Sequence, residues 1–216
     1  MNIKTTSKGA AFAKGIGWGL MFLLAILLFV VASRYLTQGP KVYFSEQREV
    51  YIANIVPLLT HIAGSMLATI IGPFQFLRKT RTGHFLKIHR WLGRIYLLSV
   101  LFGGLGGAYM GTIAYGGPIA RLGLMTIAGL WLVSGYMAYM HIRNKKIELH
   151  RKWMVINYAI TFAGVTLRLW QIVFSVIGLD FLTGYIIVTW LSWIPNLLVA
   201  LWINKRNRSV ENNLVI

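Results

Sequence analysis

The chain has 216 residues, of which 56% are hydrophobic and only 12% are charged, and its mean hydropathy is +0.62. This balance excludes an ordinary soluble globular domain. The sequence contains no cysteine, which excludes disulfide bonds and thiolate chemistry.

Six apolar stretches are long enough to cross a bilayer, whose hydrocarbon core takes roughly 20 helical residues. They predict an all-α polytopic membrane protein with transmembrane helices at residues 12–36, 50–77, 88–112, 119–142, 151–177 and 182–204. The predicted organisation is a single transmembrane domain, 12–204, between cytoplasmic tails at 1–11 and 205–216. The first stretch follows a basic tail but lacks a small-residue cleavage site, so we interpret it as a retained peripheral helix.

The net charge of +17 is distributed unevenly along this topology. Seventeen lysines and arginines fall on the side of the two tails, and only four fall on the other side. The positive-inside rule then predicts a multi-pass protein of the inner (plasma) membrane with both termini in the cytoplasm. A basic face that contacts anionic lipid explains this charge better than nucleic-acid binding does, so the predicted partner is the lipid bilayer.

Two junctions have nearly the same sequence, His89-Arg90-Trp91 and His150-Arg151-Lys152-Trp153. Each follows a short basic loop and opens a long apolar stretch. The repetition predicts a parallel duplicated helical hairpin, in which His89 corresponds to His150. The two hairpins would form a core four-helix bundle, with the remaining helices at its periphery.

Small and polar residues recur at helical spacing along single faces of the second, third, fifth and sixth stretches, the pattern of helices that pack on one another. On the second stretch this face ends at Gln75. Most of these residues are explained by packing alone, but His61 and Arg168 are neither small nor easily buried. His61 lies 17 residues before Arg78, and Arg168 lies 18 residues after His150. Both should therefore sit roughly 26 Å from the basic boundary, facing one cavity near the glycine-rich segment 103–107.

Arg168 is the sharper signal, because a buried guanidinium needs an anion or a ring of carbonyl groups. No acidic residue falls inside any of the six stretches. The partner would then come from outside the chain: a cofactor carboxylate, a quinone oxygen or a lipid phosphate. The alternative is that Arg168 extends to the outer membrane surface.

The basic side contains three further candidates, His89, His141 and His150, on different helices. Two neutral imidazoles from different helices could ligate the iron of a haem b. Arg90 and Arg151 would then neutralise the haem propionates. The alternative is that these histidines contact loop carbonyls or lipid headgroups at the helix starts.

A set of motifs resembles a bacterial family of predicted membrane proteins of unknown function. It consists of His61, Gly72-Pro73-Phe74-Gln75, Arg78, His89-Arg90, Gly93-Arg94-Ile95-Tyr96, His150-Arg151-Lys152-Trp153-Met154, Tyr158 and Arg168. The resemblance spans roughly residues 50–175 and implies a membrane domain without implying an activity. A weaker likeness is to transmembrane cytochromes b, in which a four-helix bundle holds haem between histidines. It implies one haem at most, because His61 is the only histidine in the outer half.

Three functional hypotheses stay open. The first is a redox-associated protein that binds haem b or a quinone within the second to fifth stretches, through His61, Gln75, Arg168 and the His-Arg motifs. The second is a transporter of a small anion or a lipid, with Arg168 as the substrate-binding residue. The third is a non-catalytic assembly or interaction protein. The absence of acids from the apolar stretches argues against a cation-coupled carrier, and the sequence predicts neither an enzymatic activity nor an oligomeric state.

Overall fold

The computed structural model describes residues 8–77 and 79–212, with the backbone only for Lys8, Ala10, Ala11, Ala13, Lys14 and 207–212. Residues 1–7, Arg78 and 213–216, which include parts of the predicted tails, lie outside the described residues. The described residues form nine α-helices and no strand. The helices are α1 (Lys8–Thr37), α2 (Arg48–Ala53), α3 (Ile55–Gln75), α4 (Leu86–Thr112), α5 (Gly117–Arg143), α6 (Ile147–Thr161), α7 (Ala163–Val176), α8 (Phe181–Leu191) and α9 (Ile194–Asn212).

Within the part of the chain that the structure describes, six helical segments are long and apolar enough to cross a membrane. They are Gly15–Thr37, Ile55–Gln75, Gly83–Thr112, Gly117–Arg143, Ile147–Val176 and Phe181–Arg206. The prediction of an all-α polytopic protein with six transmembrane segments is confirmed.

The fifth and sixth segments are each broken into two helices. Phe162 separates α6 from α7, and α8 ends at Leu191 before α9 begins at Ile194. Pro195 contributes to the second break, because proline lacks an N–H and disfavours a helical conformation in the residue before it. Inside a bilayer the carbonyls freed at such breaks need donors from the protein.

Side chains at the two breaks supply these donors to each other. The Thr166 hydroxyl of α7 donates to the carbonyl of Ser192, between α8 and α9. Asn196 of α9 donates through Nδ2 to the carbonyl of Ala159 in α6, at 3.2 Å. The breaks therefore form one hydrogen-bonded joint between the fifth and sixth segments.

Helices α3, α4, α5 and α6 pack in a closed ring, which agrees with the expected core four-helix bundle. Helix α3 packs on α4 through glycine, since a Cβ added to Gly64 would lie 2.6 Å from the carbonyl oxygen of Ser99. Helix α4 packs on α5, where Gly135 meets the side chain of Val100. Asn157 joins α6 to α5. The correspondence of the two hairpins, with His89 matching His150, stays a prediction.

The contact between α6 and α3 closes the ring, and it follows from Gly72-Pro73. Proline has no N–H, so Pro73 leaves the carbonyl of Thr69 without its usual helical donor. The Tyr158 hydroxyl fills this position and donates to that carbonyl at 3.1 Å. Its ring lies where a side chain on Gly72 would be, 1.9 Å from the place of a Cβ. Glycine and proline together therefore make the socket that receives Tyr158.

The remaining helices lie outside the ring. Helix α1 contacts α3, where the Trp18 indole donates to the carbonyl of Pro73 at 2.9 Å. Helix α8 packs on α5 at Gly123, and α9 packs on α6, with Asn204 donating to the Lys152 carbonyl at 3.1 Å. We call the end where α3 and α5 finish and α4 and α6 begin the basic end, and the other end the opposite end.

Candidate functional site

The centre of the ring is a polar network in which every member has a partner. The Tyr96 hydroxyl, 0% exposed, bonds to Asn157 Oδ1 at 2.6 Å and to the Thr161 hydroxyl at 2.9 Å. Asn157 donates both amide hydrogens, to the Trp131 carbonyl at 2.9 Å and to the Ser134 hydroxyl at 2.8 Å. The Trp131 indole donates to Thr161 at 2.8 Å. A network in which each of these groups has a hydrogen-bond partner explains how α4, α5 and α6 associate.

His61 lies beside the glycine-rich segment of α4, as expected. Its Nδ1 is 2.8 Å from the carbonyl oxygen of Gly103, so the ring donates a hydrogen bond between α3 and α4. The ring rests on Gly107, where a Cβ would be 2.6 Å from Nδ1. This histidine therefore has a structural partner in the neighbouring helix.

The expectation that Arg168 faces the same cavity as His61 is wrong. Arg168 is exposed, and its Nη1 donates to Gln171 Oε1 at 2.8 Å. Helix α7 lies outside the ring of four helices and contacts α1, where Gly164 meets the side chain of Leu28. Helix α7 packs on α8, where Gly184 meets Phe174, so Arg168 does not line the bundle interior.

Two buried polar atoms at the basic end have no hydrogen-bond partner among the described residues. They are Nε2 of Gln75, at the end of α3, and Nδ1 of His89, in the first turns of α4. Gln75 is 8% exposed, and its Oε1 lies against Gly93, one turn from His89. Leaving a buried donor unpaired costs about 1–3 kcal/mol. These two side chains can therefore bind a polar partner that comes from outside the chain.

The other two histidines of this end lie close to the same place. His150 Nδ1 is 2.8 Å from the carbonyl oxygen of Ala138, so it donates a hydrogen bond from α6 to α5. This bond fixes the tautomer and leaves Nε2 as the atom that can accept a hydrogen bond or bind a metal. His89 and His141 both interact electrostatically with His150, which brings the three predicted histidines into one neighbourhood.

The two predicted arginines lie at the rim of this neighbourhood. Arg90 is exposed and interacts electrostatically with His89. Arg151 is also exposed and forms an ion pair with Glu148 at 2.7 Å, so its charge is already partnered. Among the described residues no three histidine or acidic side chains are placed to hold a metal ion. A haem iron needs only two imidazoles, and that ligation stays a prediction.

Two surface grooves, of about 460 and 420 Å³, lie away from these histidines. The first is lined by residues of α3 and α4 near the opposite end, and the second by apolar residues of α5, α8 and α9. The first groove includes Leu105 and Gly106 of the glycine-rich segment predicted to lie beside the cavity, and neither groove contains one of the predicted ligand-binding side chains.

Sequence reasoning missed the surroundings of Arg168. The positive charge of Arg168 interacts with the hydroxyl groups of Tyr51 and Tyr185, which come from α2 and α8. These tyrosines are far from Arg168 in sequence and follow no shared spacing. The available signal was compositional: Tyr35, Tyr43, Tyr51, Tyr109, Tyr115 and Tyr185 all fall near the side that has few basic residues.

A family model described as "Predicted membrane protein (DUF2306)" matches residues 58–203. The match begins in α3 and ends in α9, so it contains nearly all of the four-helix ring and omits α1. No curated protein and no solved structure matches the chain.

Proposed function

The chain belongs to the DUF2306 family of predicted membrane proteins, and we propose that the polar site at its basic end binds a lipid-soluble quinone. The ligand would lie at the basic end of the ring, in contact with Gln75, His89 and His150. In the same proposal this end faces the cytoplasm, since it contains most of the lysines and arginines.

The observation that carries the proposal is the pair of unpartnered atoms on Gln75 and His89. The Gln75 amide nitrogen can only donate, so a partner that binds to it must be an acceptor. A quinone carbonyl is an uncharged acceptor on an apolar ring, and it reaches this position through the lipid. A neutral acceptor suits a buried glutamine better than a hydrated anion does, because the anion would lose its water.

His150 adds a second function to the same position. With Nδ1–H committed to Ala138, its Nε2 is an acceptor when the ring is neutral. The hydroxyl of a reduced quinone could donate to this nitrogen, whereas the oxidised carbonyl could not. The proposal is therefore that Gln75 and His89 hold the oxidised form, and that His150 also recognises the reduced form.

The test is a binding titration of the purified full-length protein in detergent with decylubiquinone, followed by tryptophan fluorescence. Gln75→Leu and His89→Leu each remove one hydrogen bond to the ligand and should raise the Kd about tenfold. His84→Leu is the matched control, because His84 is exposed at the same end. An unchanged Kd in both variants would contradict the proposal.

Stability supplies an independent measurement on the same variants. Gln75→Leu removes a donor that has no partner in the ligand-free protein, so it should leave the free energy of unfolding unchanged or raise it. Weaker binding combined with undiminished stability identifies a ligand contact. Weaker binding combined with a large loss of stability would instead mean that Gln75 supports the fold.

Haem b is a second candidate for this end, favoured by the placement of His89 and His150 on α4 and α6. The hydrogen bond from His150 Nδ1 to a backbone carbonyl is typical of a metal-binding histidine. In this proposal a haem would lie at the rim of the four-helix ring, because the ring of Tyr158 occupies the space beside Gly72 and Tyr96 connects α4 with α6 deeper in the bundle. We therefore rank haem behind quinone.

A visible spectrum distinguishes the two ligands. Bound low-spin haem would give a sharp reduced spectrum that His150→Ala abolishes, with His84→Ala as the unaffected control. A colourless preparation from haem-replete cells would exclude haem. The transport hypothesis, with Arg168 as the substrate-binding residue, stays a prediction, and Arg168 is exposed in this structure.

A further inference from the structure

We propose that Arg168, Tyr51 and Tyr185 form a phosphate-binding site toward the opposite end of the molecule, suited to the headgroup of an anionic phospholipid. This site is separate from the basic end, because α7 and α8 lie outside the ring of four helices. Its ligand chemistry is a phosphate group, which a lipid headgroup or free phosphate can supply.

Arg168 is directed toward the opposite end by Gln171. Its Nη1 donates to Gln171 Oε1, one turn further along α7, at 2.8 Å. A guanidinium has five N–H donors, and this is the one hydrogen bond that it makes among the described residues. Several donors therefore stay available on an exposed cation within the outer half of a candidate membrane segment.

Aromatic packing holds the two tyrosines in place. Tyr51 packs edge-on against Tyr43, with ring centroids 6.1 Å apart. Tyr185 stacks on Phe44 at 5.9 Å and meets Tyr115 edge-on at 5.5 Å. Both rings come from elements other than α7, and both hydroxyl groups lie within electrostatic range of the Arg168 guanidinium.

The protonation of Tyr51 suits a donor. Burial raises its pKa, the nearby tyrosines Tyr185 and Tyr35 raise it further, and Arg168 opposes these effects. The hydroxyl therefore stays protonated at neutral pH and can donate a hydrogen bond to an anion. Arginine and hydroxyl donors together are the groups that bind phosphate oxygens.

No carboxylate among the described residues forms an ion pair with Arg168. Two acids near this end have other partners: Asp180 accepts from Thr183 at the start of α8, and Glu46 accepts from Ser45. Glu49 is exposed in α2 and forms no ion pair with Arg168. The anion that satisfies Arg168 thus comes from outside the chain, and the headgroup layer of a bilayer offers phosphate at the ends of transmembrane helices.

The test is thermal unfolding of the full chain in neutral detergent, with phosphatidylglycerol, phosphatidylcholine or inorganic phosphate added separately. Phosphatidylglycerol should stabilise the wild type, and phosphatidylcholine should do so less, because its headgroup carries a compensating cation. Arg168→Gln should weaken the apparent affinity for phosphatidylglycerol about tenfold, the loss expected from one charge-assisted hydrogen-bond set. Arg168→Lys should recover only part of it, since Lys presents a point charge without a planar fork.

Arg121→Gln is the control, because Arg121 lies near the same end and its side chain is engaged with the carbonyl of Ala114. It should retain the response to phosphatidylglycerol. Tyr185→Phe, which removes only a hydroxyl, should weaken the response to phosphatidylglycerol. This variant tests the proposal even if Arg168→Gln does not fold. Stabilisation by inorganic phosphate alone that depends on Arg168 would support the site and assign it to the free anion. An undiminished lipid response in both Arg168→Gln and Tyr185→Phe would overturn the proposal.

Discussion

The socket of Tyr158 allows a quantitative test of how this bundle closes. Tyr158→Phe keeps the ring in the space above Gly72 and removes only the hydroxyl that donates to the carbonyl of Thr69, 3.1 Å away. Tyr158 is 4% exposed, so water does not readily replace the lost donor. Interhelical hydrogen bonds in membranes average about 0.6 kcal/mol and reach about 1.7 kcal/mol. The carbonyl of Thr69, left buried and unpaired, adds to the loss. We therefore expect Tyr158→Phe to lower the free energy of unfolding by about 1.5 kcal/mol.

The second half of this test restores the missing donor. Pro73→Ala returns an N–H to position 73, and that group can bond to the Thr69 carbonyl as in a regular helix. In the Pro73→Ala background, Tyr158→Phe should therefore lose about 0.5 kcal/mol or less. The bond from Trp18 to the carbonyl of residue 73 is not altered by either change.

Equilibrium unfolding in mixed micelles, followed by far-ultraviolet circular dichroism, gives the four free energies of this double-mutant cycle. Tyr136→Phe is the control, because Tyr136 is exposed and its change should lie within about 0.5 kcal/mol of zero. If Tyr158→Phe loses equal stability with and without Pro73, the hydroxyl does not compensate for the proline, and the account of the socket is refuted.

Three further predictions concern packing, the polar centre and a helix start. Gly64→Val should lower the free energy of unfolding by about 2 kcal/mol in the same assay, because its Cβ would meet a backbone carbonyl of α4 at 2.6 Å; Gly129→Val, with open space around it, should not. Asn157→Leu should lose about 3 kcal/mol, because it leaves several buried partners unpaired, and a near-neutral result would mean that water or rearrangement satisfies them. Hydrogen bonds from the start of α8 lower the pKa of Asp180. The carboxylate therefore contributes stability above the ordinary aspartate pKa, and this contribution is lost as the pH falls through the lowered value. Thermal unfolding across acidic pH should show this loss in the wild type and a smaller one in Asp180→Asn.

The six spans could be predicted from the sequence because hydrophobic length alone decides which segments can cross a bilayer. The breaks within the fifth and sixth segments could not be predicted in this way. A helix break inside a membrane is stable only if other parts of the fold supply donors, as Thr166 and Asn196 do at the joint between the fifth and sixth segments. The sequence shows those side chains but not which carbonyls they reach.

The error about Arg168 has the same origin. Counting depth and face from His150 to Arg168 assumes that the helix faces the bundle interior throughout these 18 residues, whereas α7 packs on α1 and α8, which lie outside the ring. Asn157 and Thr161, which precede the break, lie in the core, and Arg168, which follows it, lies outside. The periodic pattern was thus informative only up to the first irregular residue.

For the candidate site, the sequence identified Gln75, His89 and His150 by type and position, yet it also identified His61 by the same signals. The side chain of His61 differs from those of Gln75 and His89 in having a hydrogen-bond partner on a neighbouring helix, and this depends on the distances between helices. His61 has a carbonyl 2.8 Å away in α4, whereas Gln75 Nε2 and His89 Nδ1 have no partner among the described residues. In a bilayer, a polar group that is satisfied within the protein stabilises helix association, as the network around Tyr96 does. A buried group that is left unpaired at the end of the same bundle lowers stability unless something else binds there. This contrast between Asn157, whose loss should destabilise the protein, and Gln75, whose loss should not, would separate the structural polar residues of this membrane domain from those that we propose bind a ligand.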